Sequence, residues 1–363
     1  MIRILQMVAS LYNGGSQAMI INLYKNIDRN KIQFDFIVDH PEYDAYKNVI
    51  EELGGKIYTT PLFNGRNIVE VKKAWNDFFK KHHEYKILHS HARSYASIYL
   101  PIAKKYGVKT IIHSHNTSNG KGISSIAKSI MQYPLRYQAD YYFGCSKDAG
   151  KWLFGNRVIN SDSFYVLNNA IDASNFRLNE NIRKQYRNDF KVDKKTVYIQ
   201  VGSLTDQKNH IFTINVFKEL VKIKKDIKLY IVGVGENQTI IERLINEYNL
   251  NEYIQLLGRR NDVNNLLQMA DCYIMPSIYE GLSVAAIEAQ ASGIKCFLSD
   301  VVSKDVKISD VVEFLPLQED VWVKKLNDSF GKQDTYDEII KAGYDIKDTS
   351  KWLLEFYERI YNE

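Results

Sequence analysis

Short apolar runs alternate with helical patterns along the whole chain, and this alternation restricts the folds that the chain can adopt. Seven candidate strands lie before residue 170 and five more follow residue 195, with helical patterns between them. Strands separated by helices form parallel sheets. The sequence therefore predicts an α/β protein with two Rossmann-like, doubly wound halves that face each other across a ligand cleft at the carboxyl ends of the strands.

The length of the chain favours two domains, because one hydrophobic core for 363 residues would be unusually large. The sequence turns polar after Asp172, so we place residues 1–174 in the first domain and residues 175–345 in the second. Residues 346–363 are expected to form a helix that packs back on the first domain. Its apolar face consists of Trp352, Leu353, Phe356 and Ile360.

Composition and missing motifs exclude several classes of protein. No stretch of 18 apolar residues is present, so no membrane-spanning helix is expected. The three cysteines are scattered through apolar surroundings, which favours a reducing cytoplasm over a disulfide framework. No metal-ligand, serine-nucleophile or P-loop motif appears, so neither a metal nor another cofactor is predicted. No nucleic-acid partner is predicted either.

The segment Pro276–Gly293 carries the most specific chemistry. The apolar run at 271–275 predicts a short buried strand, and the alanine-rich run Val284–Ala291 predicts a helix. Glu280 then lies on the turn between them. The unpaired amides of the helix N-terminus belong to Gly281, Leu282 and Ser283. Such a helix end binds anions, phosphate in particular.

The two glutamates of this segment, Glu280 and Glu288, would repel a phosphate but suit the hydroxyl groups of a sugar. Glu288 lies further along the helix and could accept hydrogen bonds from two ribose hydroxyls. Phosphate-binding amides next to hydroxyl acceptors favour a nucleotide sugar as the ligand. The simpler alternative is a surface helix with two solvated glutamates, which the combination of strand, proline, Glu-Gly turn and small-residue helix disfavours.

These motifs resemble those of a known family. Pro276-Ser-x-x-Glu-Gly-Leu and Glu288-Ala-x-Ala-x-Gly are similar to the E-x7-E motif of retaining, GT-B-fold glycosyltransferases of the family-four group. The resemblance spans nearly the whole chain and is greatest to enzymes of capsule and exopolysaccharide synthesis. It implies a GT-B fold, a nucleoside-diphosphate sugar (in particular a UDP-sugar) as donor, and a reaction without a metal ion.

The resemblance assigns further residues to the donor phosphates. In the family, a glycine pair matching Gly14 and Gly15 lies over the donor pyrophosphate, although Gln17 stands here where an acid is usual. Lys208 and Asn209 match the family's Lys-Asn pair, and Lys208 could neutralise the leaving diphosphate. Ser203 stands where the family has the arginine that clamps the phosphate, so one charge and one bidentate contact are missing.

The segment Leu257-Gly-Arg-Arg260 resembles the part of the family that lies beside the nucleotide base. Gly258 is expected to let the backbone approach the ring, although a plain turn at a strand end explains this glycine equally well. The charge that Ser203 lacks could come from Arg259 or Arg260.

Two pairs of histidines end strands in the first half of the chain. The family carries a histidine at one such strand end that hydrogen-bonds the donor sugar, and His115 matches it best. His113 is then expected to point to the opposite face of the sheet. His91, from the other pair, is a candidate contact to the acceptor. The resemblance thus implies three catalytic residues, namely His115, Lys208 and Glu280.

The first half is more basic than the second. Residues 1–174 contain 22 Lys and Arg against 14 Asp and Glu, and residues 85–139 contain no acid at all. Apolar residues in the segment Ser124–Met131 recur at helical intervals beside lysines, as they do in helices that lie on a membrane surface. The alternatives are a solvated basic face and apolar residues that pack inward.

The sequence therefore predicts a cytoplasmic, peripherally membrane-associated retaining glycosyltransferase. Its partners are predicted to be a nucleotide-sugar donor, a polyprenyl-diphosphate-linked glycan acceptor and the anionic inner-membrane surface. Two alternatives remain open. One is a sugar-nucleotide epimerase on the same fold, and the other is a catalytically weak subunit that binds sugar nucleotides.

Overall fold

The computed structural model describes residues 1–12, 15–41, 45–115, 123–280 and 282–363. These residues form two compact domains. The first consists of Met1–Ala170 together with Ile346–Glu363, and the second of Ile171–Asp345. Each domain contains one β-sheet in which all paired strands are parallel, so the predicted α/β class with two Rossmann-like domains is confirmed.

The sheet of the first domain has seven strands, and all seven were predicted. They are β1 (Ile2–Met7), β2 (Ile32–Val38), β3 (Ile57–Thr59), β4 (Ile87–Ser90), β5 (Lys109–Ser114), β6 (Tyr141–Gly144) and β7 (Phe164–Val166). Their order in the sheet is β3-β2-β1-β4-β5-β6-β7. The order reverses beside β1, and in sheets of this kind ligands bind at that point, outside the carboxyl ends of the strands.

The sheet of the second domain has six strands in the order β10-β9-β8-β11-β12-β13. They are β8 (Thr196–Val201), β9 (Ile227–Val232), β10 (Ile254–Gly258), β11 (Cys272–Met275), β12 (Lys295–Ser299) and β13 (Val312–Leu315). The sequence did not predict the edge strand β13, because it is short and contains a glutamate. That side chain, Glu313, pairs with Lys295 at 3.1 Å and with Lys325 at 2.5 Å.

The helices connect these strands. They are α1 (Gly15–Asn26), α2 (Lys47–Glu52), α3 (Ile68–Lys81), α4 (Ala96–Lys105), α5 (Ile123–Gln132), α6 (Lys147–Ile159), α7 (Ala173–Phe176), α8 (Glu180–Asp189), α9 (His210–Ile223), α10 (Gln238–Glu247), α11 (Val263–Met269), α12 (Val284–Ala291), α13 (Glu319–Leu326), α14 (Tyr336–Lys341) and α15 (Ile346–Asn362). In the described part of the chain, none of them has the length and apolar character that crossing a membrane requires.

Alternate residues of each strand pack on opposite faces of the sheet. In β1, Ile4 packs in one buried cluster and Leu5 in another, on opposite sides. The final helix α15 covers the face of Ile4 with four fully buried side chains, namely Leu353, Phe356, Tyr357 and Ile360. Burying one such side chain stabilises a fold by about 2 kcal/mol, which makes α15 part of the core of the first domain.

Candidate active site

The predicted site residues of the first domain follow the carboxyl ends of its central strands. His91 comes directly after β4 and His115 directly after β5, and these two strands are parallel neighbours. Their rings stack with centroids 5.1 Å apart, and His91 Nδ1 lies 2.8 Å from His115 Nε2. The structure therefore brings the predicted donor-sugar contact and the predicted acceptor contact into direct hydrogen bonding.

The expectation that His113 faces away from His115 is wrong. The two rings stack on the same side of the sheet, with centroids 4.0 Å apart. The physical reason is the period of a strand, which places residues two positions apart on the same face. His89 of β4 stacks on His91 for the same reason, at 4.4 Å, so four imidazoles form one cluster.

All four imidazoles of this cluster are neutral near pH 7. Burial lowers the pKa of His89 and His115 to about 3 and holds the pKa of His91 and His113 well below the usual value. A charged imidazole would lose its hydration here, and neighbouring histidines or Arg93 would repel its charge. His115 can therefore act as a neutral hydrogen-bonding group and not as a cation.

Three histidines of the cluster lie close enough together to raise the question of a metal centre. His89, His91 and His113 each place one ring nitrogen within 4.8 Å of the others. Metal binding requires that the lone pairs, which lie in the ring planes, converge on one point. The plane of His89 makes angles of only 22° with His91 and 20° with His113, so the lone pairs run side by side. The rings fit a stack in which His91 is hydrogen-bonded to His115 and His89 to Tyr357, and the absence of a metal stays a prediction.

The loop after β1 leads into the glycine pair. Gly14 lies outside the described residues, and Gly15 is the first residue of α1. A side chain at Gly15 would contact nothing within 4 Å, so the backbone there is open to a ligand. Gln17, which stands where the family has an acid, is buried and donates to the carbonyl of Ser10 at 3.1 Å. Gln17 therefore stabilises the loop after β1 through this hydrogen bond and carries no charge.

Two loops of the second domain bring Lys208 and Glu280 together. Lys208 follows β8 and Glu280 follows β11, and these strands are neighbours. Lys208 Nζ and Glu280 Oε2 form an ion pair in which only 16% and 14% of the side chains are exposed. The amide of Ile278 also donates to the carbonyl of Gln207 at 2.9 Å, which fixes the two loops to each other.

The backbone of Lys208 is hydrogen-bonded to a polar side chain of β8. Gln200 of β8 donates to the carbonyl of Lys208 at 2.9 Å and accepts from the hydroxyl of Thr213 at 2.8 Å. Asn209 has the left-handed backbone conformation, with φ of 56°, and precedes α9 directly. The next residue, His210, is buried, which lowers its pKa to about 4. The sequence did not single out His210 as a site residue.

The helix that follows Glu280 is α12, as predicted. Gly281 lies outside the described residues, Leu282 packs against the core of the second domain, and the buried Ser283 directly precedes the helix. Glu288 lies on α12, and burial raises its pKa to about 7. Burial is also the main cause that raises the pKa of Tyr273 on β11, and the Glu280 and Glu288 carboxylates add to it. Both predicted carboxylates therefore lie near one tyrosine hydroxyl.

The predicted base segment ends β10. Gly258 has a φ of 64°, a conformation that favours glycine, and its carbonyl accepts from the amide of Gly233 at 2.9 Å. Arg260 forms two hydrogen bonds with Asp262, at 2.8 and 2.7 Å, so its guanidinium is already engaged. Arg259 is exposed and has no hydrogen bond or ion pair among the described residues. Of the two arginines, Arg259 is therefore the candidate to replace the missing clamp.

Two family models together match most of the chain. The model described as Glycosyltransferase Family 4 matches residues 13–175, and the model described as Glycosyl transferases group 1 matches residues 181–345. The chain belongs to the GT-B glycosyltransferases. The predicted fold and the prediction of a glycosyltransferase are thereby confirmed, whereas retention and metal independence stay predictions.

Known proteins resemble this glycosyltransferase along most or nearly all of its length. The protein EpsF of Bacillus subtilis is 27% identical over 98% of this chain and 96% of its own. The UDP-Gal:alpha-D-GlcNAc-diphosphoundecaprenol alpha-1,3-galactosyltransferase of Escherichia coli is 23% identical over 74% of this chain and 72% of its own. The crystal structure of Anabaena Alr3699/HepE in complex with UDP has a TM-score of 0.75 at 14% identity, over 98% of this chain and 94% of that one.

The substitution Glu288→Gln is expected to weaken nucleotide binding and to stabilise the fold. Its raised pKa means that stability falls as pH rises from about 4.5 to 7, because the unfolded chain loses this proton first. Glu288→Gln should therefore raise the Tm at pH 8 more than at pH 5, while it weakens binding of UDP by roughly 1–3 kcal/mol. Calorimetry and thermal melts measure both effects. Glu247→Gln, an exposed change on α10, is the control, and unchanged UDP affinity in Glu288→Gln would remove the ribose assignment.

Ser203 offers a test of the donor phosphate site. This residue is exposed, so a longer side chain has room. Ser203→Arg restores a bidentate donor and should tighten UDP binding about tenfold, whereas Ser203→Lys adds only a point charge and should do less. Calorimetry compares the two variants with the unsubstituted enzyme. Loss of binding in Ser203→Arg would show that the loop around Lys208 differs from the family arrangement.

Proposed function

We propose that this glycosyltransferase moves a sugar from a UDP-sugar to a polyprenyl-diphosphate-linked glycan, with retention of the anomeric configuration. The product would be a lipid-linked intermediate of exopolysaccharide, capsule or O-antigen synthesis. The observation that carries the proposal is the buried Lys208–Glu280 pair beside α12, with Glu288 further along the same helix. The names of the relatives support it, since one contains UDP-Gal and a diphosphoundecaprenol-linked sugar.

The second domain would hold the nucleotide. Lys208 carries a positive charge next to Glu280, on the loop that leads into α12, and a diphosphate placed there would take over the ion pair that Glu280 now makes. The amides of residues 281–283 would add hydrogen bonds at the helix N-terminus. Glu288 would accept hydrogen bonds from the ribose, and Gly258 would leave space for the base.

The first domain would contribute His115 and Gly15. A neutral His115 can hydrogen-bond a sugar hydroxyl without repelling the developing positive charge at the anomeric carbon. The bond between the anomeric carbon and the diphosphate oxygen breaks, and a bond to the acceptor oxygen forms on the same face of the sugar. The departing diphosphate takes the proton of the acceptor hydroxyl, so no protein nucleophile and no metal ion are required.

The activity is tested with purified enzyme, a panel of UDP-sugars and short polyprenyl-diphosphate-linked glycans. We expect UDP release that depends on the acceptor and survives EDTA, and a product whose anomeric configuration, read by NMR, equals that of the donor. Release of a UDP-sugar epimer without transfer would identify the epimerase alternative. Activity that is lost in chelator and restored by magnesium would contradict the metal-free mechanism.

We propose further that the first domain attaches to anionic membranes through α5 and the turn that follows it. On this surface four apolar side chains point outward, namely Ile126, Ile130, Tyr133 and Tyr137, with exposed fractions of 55–69%. Leu135 packs inward, so only part of the segment belongs to the core. Lys128 is exposed on the same helix, and the Arg136 guanidinium lies 4.9 Å from the centre of the Tyr133 ring. Apolar groups bordered by cations suit the boundary of an anionic bilayer.

Two other lysines of the acid-free stretch are paired with acids that lie outside it. Lys104 pairs with Asp140 at 2.8 Å, and Lys109 lies 3.7 Å from Glu363, so residues outside the stretch neutralise them. Lys121 lies outside the described residues. Among the described residues of the stretch, the charge that attracts the membrane is therefore expected to come from groups such as the exposed Lys105 and Lys128 and the partly exposed Arg136.

Liposome co-sedimentation tests this surface. Binding should be stronger to anionic than to neutral vesicles and should decrease with salt, because the attraction is screened beyond about 10 Å at 0.1 M ionic strength. Ile130→Glu should reduce binding severalfold, whereas the matched control Ile223→Glu, an exposed isoleucine of the second domain, should not. Equal binding to both kinds of vesicle, or equal loss in both variants, would count against attachment through α5.

A further inference from the structure

A buried glutamine lies at the centre of the first sheet, where apolar residues are expected. Gln6 of β1 is 1% exposed, and its register partner on the neighbouring strand is His89. Its amide oxygen lies 2.9 Å from His91 Nε2, and its amide nitrogen lies 3.3 Å from the hydroxyl of Tyr357 on α15. A buried amide is tolerated only when both of its ends have partners, so Gln6 links the histidine cluster to the final helix.

The bonds of Gln6 belong to a continuous chain of five side chains. His115 Nε2 lies 2.8 Å from His91 Nδ1, and Tyr357 Oη lies 2.6 Å from His89 Nδ1. The chain therefore runs from His115 through His91, Gln6 and Tyr357 to His89, entirely within the first domain. Chains of this kind polarise their members and fix each ring in one orientation.

The chemistry of the amide sets the direction of every bond in the chain. A carbonyl oxygen only accepts, so His91 must carry its proton on Nε2. His91 is neutral, which leaves Nδ1 without a proton, and His115 must then donate from its own Nε2. The amide nitrogen of Gln6 only donates, so the hydroxyl oxygen of Tyr357 accepts from it. The hydroxyl of Tyr357 then donates its own hydrogen bond to His89 Nδ1.

We propose that Gln6 and Tyr357 are positioning residues that hold His115 as the neutral tautomer with its proton on Nε2. Both residues are buried in the first domain, and Tyr357 bonds to Gln6, which bonds to His91, so both are expected to act through His91. The consequence for transfer rests on the proposed function, in which His115 contacts the donor sugar. With its proton on the wrong nitrogen, His115 would present a donor to the sugar where an acceptor is needed. The partner of the other ring nitrogen decides which tautomer a histidine adopts.

The tautomer is measured directly by long-range proton–nitrogen NMR correlation on enzyme labelled with 15N-histidine. In the unsubstituted enzyme we expect a protonated Nε2 and an unprotonated Nδ1 for both His115 and His91. Gln6→Leu should produce a mixture of tautomers, and the milder Tyr357→Phe a smaller shift in the same direction. Tyr85→Phe is the matched control, because it also removes a buried hydroxyl of the first domain, one that is bonded to Asp35 at 2.7 Å.

Transfer kinetics provide the second readout. Gln6→Leu should lower kcat by roughly 10- to 100-fold with little change in the KM of the donor, since a misplaced contact affects the reacting geometry. The proposal is overturned if His115 of the unsubstituted enzyme carries its proton on Nδ1, as a chain with every hydrogen bond in the opposite direction would require. It is also overturned if Gln6→Leu leaves the tautomer unchanged. If the tautomers behave as expected but His115→Ala transfers sugar normally, the role of His115 in the proposed function fails instead.

Discussion

Lys208→Ala is expected to lower the kcat of sugar transfer by roughly 100- to 1000-fold, as the loss of one preorganised charge at a developing anion does in other enzymes. The charge of Lys208 lies in a largely buried ion pair between two loops, where few water molecules can replace it. Acceptor-dependent UDP release measures the effect. The control is Lys222→Ala on α9, whose exposed ammonium pairs with Glu219 at 2.7 Å.

Glu280→Gln separates the two members of this pair. If Glu280 mainly keeps Lys208 in place, Glu280→Gln should retain most of the affinity for UDP and lose more turnover than binding. The double variant should then lose little more than Lys208→Ala alone, because both changes remove one interaction. Losses that multiply in the double variant would show that Glu280 contacts the substrate independently of Lys208.

Acid is expected to unfold the first domain well before carboxylate protonation alone would do so. The pKa of His89 and of His115 is about 3 in the folded protein, and that of His91 and His113 is also far below the usual 6.5. The unfolded chain therefore binds more protons between about pH 6.5 and 3, and stability falls as pH decreases through that range. Each buried histidine contributes about 1.4 kcal/mol per pH unit, so four of them produce a steep loss.

Thermal melts between pH 7.5 and 5 test this prediction. His113→Phe removes one titrating group, and both ring nitrogens of His113 lack partners among the described residues. This variant should therefore be more stable than the unsubstituted protein at pH 5 and should lose less stability on acidification. His83→Phe, which changes an exposed histidine of the same domain, is the control. A pH dependence identical in all three proteins would contradict the prediction.

Most elements of the fold were predictable, because their signals are local. Buried parallel strands are continuous apolar runs, as in β11 (Cys272–Met275), where all four residues are apolar and buried, and such runs stand out between helical patterns. The edge strand β13 was missed because its polarity reflects its position at the border of the sheet, which the sequence does not reveal. The final helix begins at Ile346, well before the apolar face that starts at Trp352, and Ile346 itself is already buried.

The candidate site was partly predictable for the same reason. The turn at Glu280 and the helix after it follow from neighbouring residues, and so does the position of Lys208 after β8. The sequence could not show that these two side chains form an ion pair, because 72 residues separate them. It also placed His113 on the wrong face, which was an error in applying the period of a strand.

The α/β class and the order of most strands and helices follow from the amino-acid sequence alone. Both depend on residues close together in the chain, where spacing decides which side chains share a face. Which polar groups meet in the core became visible only in the folded domain. Tyr357 reaches His89 across 268 residues of chain, and nothing near Gln6 in the sequence indicates that its amide joins them. Contacts of this kind arise when separate elements pack around one sheet, so they exist only in the folded domain.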